Sequence, residues 1–417
     1  MGPIRGAKRK MMPEEDADLF APAARRGPGI PCGDSDWWGG FSRGLFAGTG
    51  GISKDRAFSS SSSSSFEDVF KFSRRTFNYI CSLVKDEMMS KHVNLTDLSG
   101  KHLCLNDRVA VALRRLSSGE SLSVLGDSLG IARSAVGQIT WLFVEAMEER
   151  GIHHLRWPSV EEDVKGIKDR FESVRGLPNC CGAIDVTHVG FCQSPADPAE
   201  KIWRDPEGKH SMILQAIVDP AMRFVDVFAG APGSMSDAQT LAISRFFELA
   251  EEGKRLNGEK LKLSDGTEIR EYLIGDSGFP HLPWLLTPYN RRGGDLSDHQ
   301  SEFNRRHSAT IRVAGRALTR LKDRWKIIQG TIGRTDKHKL PRIVLVCCLL
   351  HNILIDLEDN GDEIQIDGAL NSRNHDADYR QQNGYLAGIN NRAARNQREK
   401  LALYLAGEQV SSSDLSD

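Results

Sequence analysis

Two short apolar strings run into aspartates: Gly182-Ala183-Ile184-Asp185-Val186-Thr187-His188 and Ile274-Gly275-Asp276-Ser277-Gly278-Phe279-Pro280. Short apolar runs bounded by turn residues read as buried strands, which places Asp185 within one strand and Asp276 just past the end of another. Hard divalent cations take carboxylate oxygens, and two-metal phosphoryl chemistry needs carboxylates around a pair of cations ~3.5–4 Å apart. If the two strands pair, Asp185 and Asp276 stand side by side. A third acid, Asp237, closes Pro232-Gly233-Ser234-Met235-Ser236-Asp237. It reads first as a helix N-cap and second as a metal ligand. Asp185 and Asp276 have their own plainer reading, as polar residues hydrogen-bonded to nearby backbone. His188 and His307 read as hydrogen-bonded structural residues.

The elements that must position these groups follow from periodicity. From residue 66 to 150 the pattern is helical. Phe77, Ile80 and Val84 recur at helix spacing behind Ser73, a candidate N-cap. Asn106 is expected to cap a helix carrying Val109, Ala112, Leu113 and Leu116. A short helix opens at Ser121, with Leu122, Leu125 and Leu129, and ends at Gly130. A third opens at Ser134, with Val136, Ile139, Phe143 and Met147 on one face. Two short helices across a glycine turn have the layout of a helix-turn-helix. Val160, Val164, Ile167, Phe171 and Val174 mark an amphipathic connecting helix. Strands are expected over 181–189, 212–218, 224–228 and 271–274, the middle two joined by the turn Asp219-Pro220-Ala221-Met222. Helices are expected from Ser236-Asp237 to Gly253, over 302–328 and over 340–357. Strands first, then a helix, a strand and further helices indicate an α/β layered domain.

The flanks differ in composition. Residues 1–65 are rich in Gly, Pro, Ala, Arg and Ser and end in a serine run, and residues 360–417 are polar with a weak helix over 391–405. Both read as disordered tails. Trp37 and Trp38 stand out in the first tail as a docking motif or a brace on the folded domain. Lys8-Arg9-Lys10 reads as a solvated tail or a nuclear import signal. Division at 66–150 and 151–359 gives a helical domain followed by the α/β domain.

With 55 basic and 56 acidic residues, the chain does not coat nucleic acid by bulk charge. Over 106–150 five basic residues face six acidic ones, and the would-be recognition helix offers only Arg133 and Gln138. Packing or partner binding is favoured there over DNA reading, which needs several phosphate contacts. The long helix instead concentrates Arg305, Arg306, Arg312, Arg316, Arg320, Lys322, Arg324 and Lys326. Its charge suits weak sequence-independent DNA contact, an acidic protein, or plain solvation. The eight cysteines show no CxxC spacing and read as reduced residues of an intracellular protein. No membrane partner is expected, because the apolar run 343–355 falls short of the ~20 residues of a span.

The strings around Asp185 and Asp276, with Phe303-Asn304-Arg305-Arg306-His307-Ser308-Ala309-Thr310, Val313-Ala314-Gly315-Arg316-Ala317-Leu318 and Leu321-Lys322-Asp323-Arg324-Trp325, resemble the nuclease domain of PIF/Harbinger transposases. The resemblance runs from about residue 66 to 359. It implies a ribonuclease-H-like DDE transposase core preceded by an all-α, helix-turn-helix-like domain. It also implies a metal triad of two aspartates and one helical glutamate, of which Asp185 and Asp276 match while the third position falls on Gly315. Glu302 lies on the order of 20 Å away along the helix and Asp323 roughly 12 Å, so neither replaces it. Further departures are Leu318-Thr319 where the family shows Phe-Gly, and Val186 where it shows Gly. No catalytic set is intact on this reading and no cofactor is required. Asp185 and Asp276, less readily Asp237, would hold Mg²⁺ or Mn²⁺ weakly. The long basic helix corresponds to one that faces DNA in the family.

Leu116-Ser117-Ser118-Gly119-Glu120-Ser121-Leu122-Ser123-Val124, Leu177-Pro178-Asn179-Cys180-Cys181-Gly182, Leu282-Pro283-Trp284-Leu285-Leu286-Thr287-Pro288-Tyr289 and Val346-Cys347-Cys348-Leu349-Leu350-His351-Asn352 are similar to a plant group of domesticated members, that of the antagonist of like heterochromatin protein. This implies a nuclear, catalytically inactive protein that associates with Polycomb repressive complex subunits and opposes silencing. A Myb/SANT-like transposon-derived protein is its implied partner, contacted through residues 66–150, with Trp37 and Trp38 adding a second contact. The alternative is a metal-dependent nuclease with a degraded site.

Overall fold

The computed structural model describes residues 41, 66–90, 94–192, 200–290, 295–330, 332, 339–358 and 392–407. Trp37, Trp38, the basic cluster at residues 8–10 and most of both tails lie outside them. Among the described residues from 66 onward, five helices come first: α1 (Phe66–Phe70), α2 (Arg74–Ser90), α3 (Leu105–Ser118), α4 (Leu122–Leu129) and α5 (Arg133–Arg150). Ser73 caps α2, its Oγ accepting from the Thr76 amide. Asn106 does not cap α3. Cys104 holds the cap position, and Asp107 reaches back to the Cys104 amide at 3.0 Å. Likewise α5 starts behind Ala132, ahead of Ser134.

The connecting helix α6 (Glu161–Arg175) buries only Phe171 of its expected stripe, with Val160 and Val174 exposed. Beyond it the sheet runs in the order β3-β2-β1-β6-β7. β1 (Cys180–Gly190), β2 (Ser211–Val218) and β3 (Phe224–Pro232) form an antiparallel meander. β6 (Tyr272–Gly275) and β7 (Leu285–Leu286) add on in parallel. The β2–β3 turn forms as its residues dictate, with Asp219 Oδ1 accepting from the amides of Ala221 and Arg223 at 2.8 and 2.9 Å. The helix expected over 236–253 is two helices, α7 (Asp237–Ala242) and α8 (Arg245–Glu251), because Ser244 caps a new one by accepting from the Phe247 amide. A small hairpin of β4 (Leu261–Lys262) and β5 (Glu268–Ile269) follows.

Three helices complete the fold: α9 (Asp298–Arg324), α10 (Leu340–Glu358) and α11 (Arg392–Ala406). α9 begins earlier than expected, capped by Ser297, and a 3-10 turn carries the chain on to Ile328. Alternation of side chains across the strands splits the core by face. Ala183, Val189, Leu214, Ala216 and Val218 pack with α9 and α10, while Ile184, Ile217 and Val225 pack with Leu241 and Phe246 of α7 and α8. The first cluster runs on without a break into α1–α5, through Phe77, Val109, Leu113, Phe143 and Met147.

α10 is the joint. It is 19 residues long and apolar enough to cross a membrane by composition, longer than the run read from sequence, but 67% of its most apolar window is buried inside the fold. Asn352 on α10 accepts from the Phe224 amide and donates to the carbonyls of Phe224 and His154, at 2.7–2.9 Å. The weak C-terminal helix is α11, and it is docked. Leu401 and Ala402 join Phe171, Ile269, Tyr272 and Phe303 in a third cluster.

Candidate active site

β1 and β6 pair in parallel up to Ile184 opposite Gly275. Asp185 and Asp276 are the next residue on each chain, so the sheet presents them side by side. Each is held by backbone: the Val186 amide donates to Asp185 Oδ1 at 2.7 Å and the Gly278 amide to Asp276 Oδ1 at 2.9 Å. Asp237 is not an N-cap. Ser236 takes that role, accepting from the Gln239 amide, and Asp237 is the first residue of α7. Its carboxylate turns to the other two. A Cβ added at Gly278 would collide with Asp237 Oδ2 and lie 3.2 Å from Asp276 Oδ1, so the two carboxylates meet over the bare Gly278 backbone.

The electrostatics record this crowding. Asp185 is pushed up to about 7, first by burial and then by the charges of Asp276 and Asp237. Asp237 is also pushed up to about 7, by burial and then by Asp276. Carboxylates forced together in a buried site hold their protons in this way.

α9 crosses above. Its buried His307 lies with Nε2 2.9 Å from the Gly275 carbonyl, pinning the helix to β6 one residue before Asp276. Burial drops His307 to about 4, so it is neutral and donates one proton there. Two turns further on, Gly315 comes over the strands. A Cβ built on it would meet only Asp185 Oδ2, at 3.6 Å. The helix therefore aims position 315 at the first aspartate and supplies no donor. Among the described residues, no group of three or more His, Cys, Asp or Glu is arranged to hold a metal ion. The carboxylates the site offers are Asp185, Asp276 and Asp237, and position 315 adds none.

The basic helix is largely engaged with its own fold. Arg305 and Arg306 pair with Glu302 at 2.7 and 2.6 Å, and Arg306 also donates to the Gly176 carbonyl. Lys322 donates to the His188 carbonyl at 2.8 Å. Arg324 donates to the Lys71 carbonyl at 2.6 Å and lies over the Phe72 ring. Arg312 and Arg316 remain exposed, beside Arg175 at the end of α6. Burial and then the charges of Arg312 and Arg316 hold the Arg175 guanidinium below its usual range. Composition marked Arg312 and Arg316. Arg175 was missed, because it lies 137 residues before Arg312 and only the fold brings them together.

In the helix-turn-helix-like segment, α5 buries Val136, Ile139, Thr140, Leu142, Phe143, Val144, Ala146 and Met147, leaving Arg133 and Gln138 exposed at its start. Trp141 is flanked by the cations of Lys339 and Arg342, 4.7 and 4.5 Å from the ring centre. Exposed apolar side chains on this segment include Leu98 and Val124.

Residues 184–352 match the family model of the DDE superfamily endonuclease, and the observed layers fit its ribonuclease-H-like core. An Arabidopsis thaliana protein named ALP1-like is 53% identical over 376 residues, 90% of this chain and 87% of that protein. The Arabidopsis thaliana protein named antagonist of like heterochromatin protein 1 is 42% identical over 351 residues, 83% of this chain and 84% of that one. HARBI1 of Homo sapiens, whose name is that of a nuclease, is 25% identical over 292 residues, 69% and 76% of the two chains. No solved structure matches the chain significantly.

Proposed function

Since the chain belongs to the Harbinger transposase-derived proteins of the DDE superfamily, we propose that it is a domesticated, catalytically inactive member serving as a chromatin-associated interaction subunit in the nucleus. One observation carries this reading. The helix that should bring the third carboxylate brings Gly315, where even an added Cβ would stand 3.6 Å from Asp185 Oδ2 and no oxygen is offered. Glu302 cannot stand in, because it is committed to Arg305 and Arg306.

The relatives' names point the reading toward heterochromatin. The partners proposed are Polycomb repressive complex subunits, whose silencing the protein opposes, and a Myb/SANT-like protein held by the helical segment. Over residues 66–150 eleven basic and eleven acidic residues balance, and the segment exposes apolar Leu98 and Val124. Trp37 and Trp38 are proposed as a second contact. Arg312 and Arg316 on α9 are proposed as the face for a polyanion.

The purified protein is expected to leave supercoiled plasmid intact in Mg²⁺ or Mn²⁺. Divalent-dependent nicking abolished by Asp185→Ala would overturn the inactive assignment. Nuclear co-purification should survive Asp185→Ala with Asp276→Ala and be lost in Leu98→Asp with Val124→Asp, two exposed positions that leave the core untouched. Loss of partners from the folded double aspartate variant would sink the interaction-subunit reading. A second reading, a nuclease with a rearranged site, rests on the turn of the Asp237 carboxylate toward Asp276. The plasmid assay with Asp237→Ala decides between the two.

A further inference from the structure

α9 leaves one face unmatched. Arg312 and Arg316 are exposed, stand four residues apart on the same side of the helix, and have no ion pair or hydrogen bond to a carboxylate among the described residues. Arg175 adds a third cation, and Arg320 continues the line one turn on. Like charges gathered on one face repel each other, which favours an anionic cover.

The described chain breaks off near Arg324, two turns beyond Arg316 on the same helix. α10 ends at Glu358, whose carboxylate accepts from the Ser73 amide at 3.0 Å and the Ser73 hydroxyl at 2.5 Å, within the field of Arg324. The next described residue is Arg392, on α11, which packs on α9. Between them, residues 359–367 carry Asp359, Asp362, Glu363 and Asp367 and no Lys or Arg.

We infer that the Arg175–Arg312–Arg316 face is a docking surface for this chain's own acidic segment 359–367. Reach allows it. From Arg324 to Arg312 is about 18 Å along a helix, and nine extended residues span up to about 30 Å. Nine residues at random-coil dimensions would span about 15–18 Å end to end, close to that distance. Tethering sets an effective concentration in the millimolar range. Charge complementarity then suffices without a deep pocket, and an external polyanion must displace the segment to bind. The inference does not depend on the loss of catalysis argued above.

Cross-linking in the full chain tests it. Arg312→Lys with Arg316→Lys keeps the charge and installs amines that a zero-length carbodiimide joins to carboxylates in contact. The expected product is an intramolecular amide from Lys at 312 or 316 to an acid of 359–367. It should disappear in 0.5 M NaCl. Cross-links only to other carboxylates, only between chains, or none while the new lysines react with a soluble succinimidyl ester, each overturn the inference. In a second arm, Asp359→Asn, Asp362→Asn, Glu363→Gln and Asp367→Asn should tighten binding of a 30-base-pair duplex about tenfold at low salt. The gain should vanish when Arg312→Gln and Arg316→Gln are added. Equal affinity of wild-type and neutralised chains, or a gain that persists without the arginines, overturns it as well.

Discussion

Asp185→Asn should make the protein more stable, and the gain should depend on pH. A free aspartate titrates near 3.9, whereas burial and the charges of Asp276 and Asp237 push Asp185 up to about 7 in the fold. A folded value above the unfolded one means that folding favours the protonated form. The contribution of Asp185 is therefore fully present below about pH 4 and is lost as pH rises through about 7. Each unit of separation corresponds to 1.36 kcal/mol, so ionised Asp185 costs at most about 4 kcal/mol at pH 8. Its coupling to Asp237 spreads that cost over a pair, and about 2–3 kcal/mol is the working figure for one substitution. Asparagine keeps the oxygen that accepts the Val186 amide and carries no charge. At 2–4 °C per kcal/mol for a domain of this size, the expected rise in Tm is about 5–10 °C. Thermal unfolding followed by circular dichroism at pH 8 and pH 5, in chelator, measures it. At pH 5 the wild-type group is largely protonated in the fold, and the gain should fall to less than half. An equal gain at both pH values, or a loss at pH 8, would show that the three carboxylates are not crowded as described.

Gly315→Ala should stabilise by about 1 kcal/mol in denaturant unfolding, because a mid-helix glycine is replaced where a Cβ meets only ordinary contact. Gly315→Glu should lower stability without metal and strengthen Mn²⁺ binding in calorimetry. No gain with the fold intact would mean that position 315 is not the third triad position. Asn352→Leu should cost about 2–4 kcal/mol in the same unfolding assay, because it strips partners from the Phe224 amide and from the Phe224 and His154 carbonyls. Truncation after residue 391 should lower Tm by several degrees, since it uncovers Phe171, Ile269, Tyr272 and Phe303. An unchanged melt would mean that α11 contributes no net stability.

The parts legible in sequence were those written in local periodicity. The strands around Asp185 and before Asp276, the short α4 and the long α9 all carry unbroken patterns, and the strings around them carried the family. Boundaries slipped where a side chain outside the pattern set the end. Cys104 with Asp107 displaced Asn106, and Ser244 split one expected helix in two. The engagement of Arg306 with Gly176 and of Lys322 with His188 could not be read, because these carbonyl acceptors are backbone atoms 130 and 134 residues away. The docking of α11 was hidden in the same way, since Arg398 donates to the carbonyls of Thr287 and Pro288 and stacks 3.9 Å over Tyr289, contacts that no local pattern announces. Asp237 was legible as a second-choice ligand behind an N-cap role, and the order was reversed because Ser236 takes the cap and the Asp237 carboxylate meets Asp276 over Gly278.

The unbroken apolar cluster that α10 carries from the sheet into α1–α5 has an evolutionary consequence. Two halves that share one interior melt together and tolerate no hinge between them. A lineage that abandons cutting cannot then discard the cutting half while keeping the helical one, because the helices would lose the wall they lean on. Decay is channelled into positions whose change costs the architecture little, about 1 kcal/mol for a mid-helix glycine, and a helix residue facing only a carboxylate is such a position. The sheet is then inherited for the surface it keeps in shape, whether or not it still cuts.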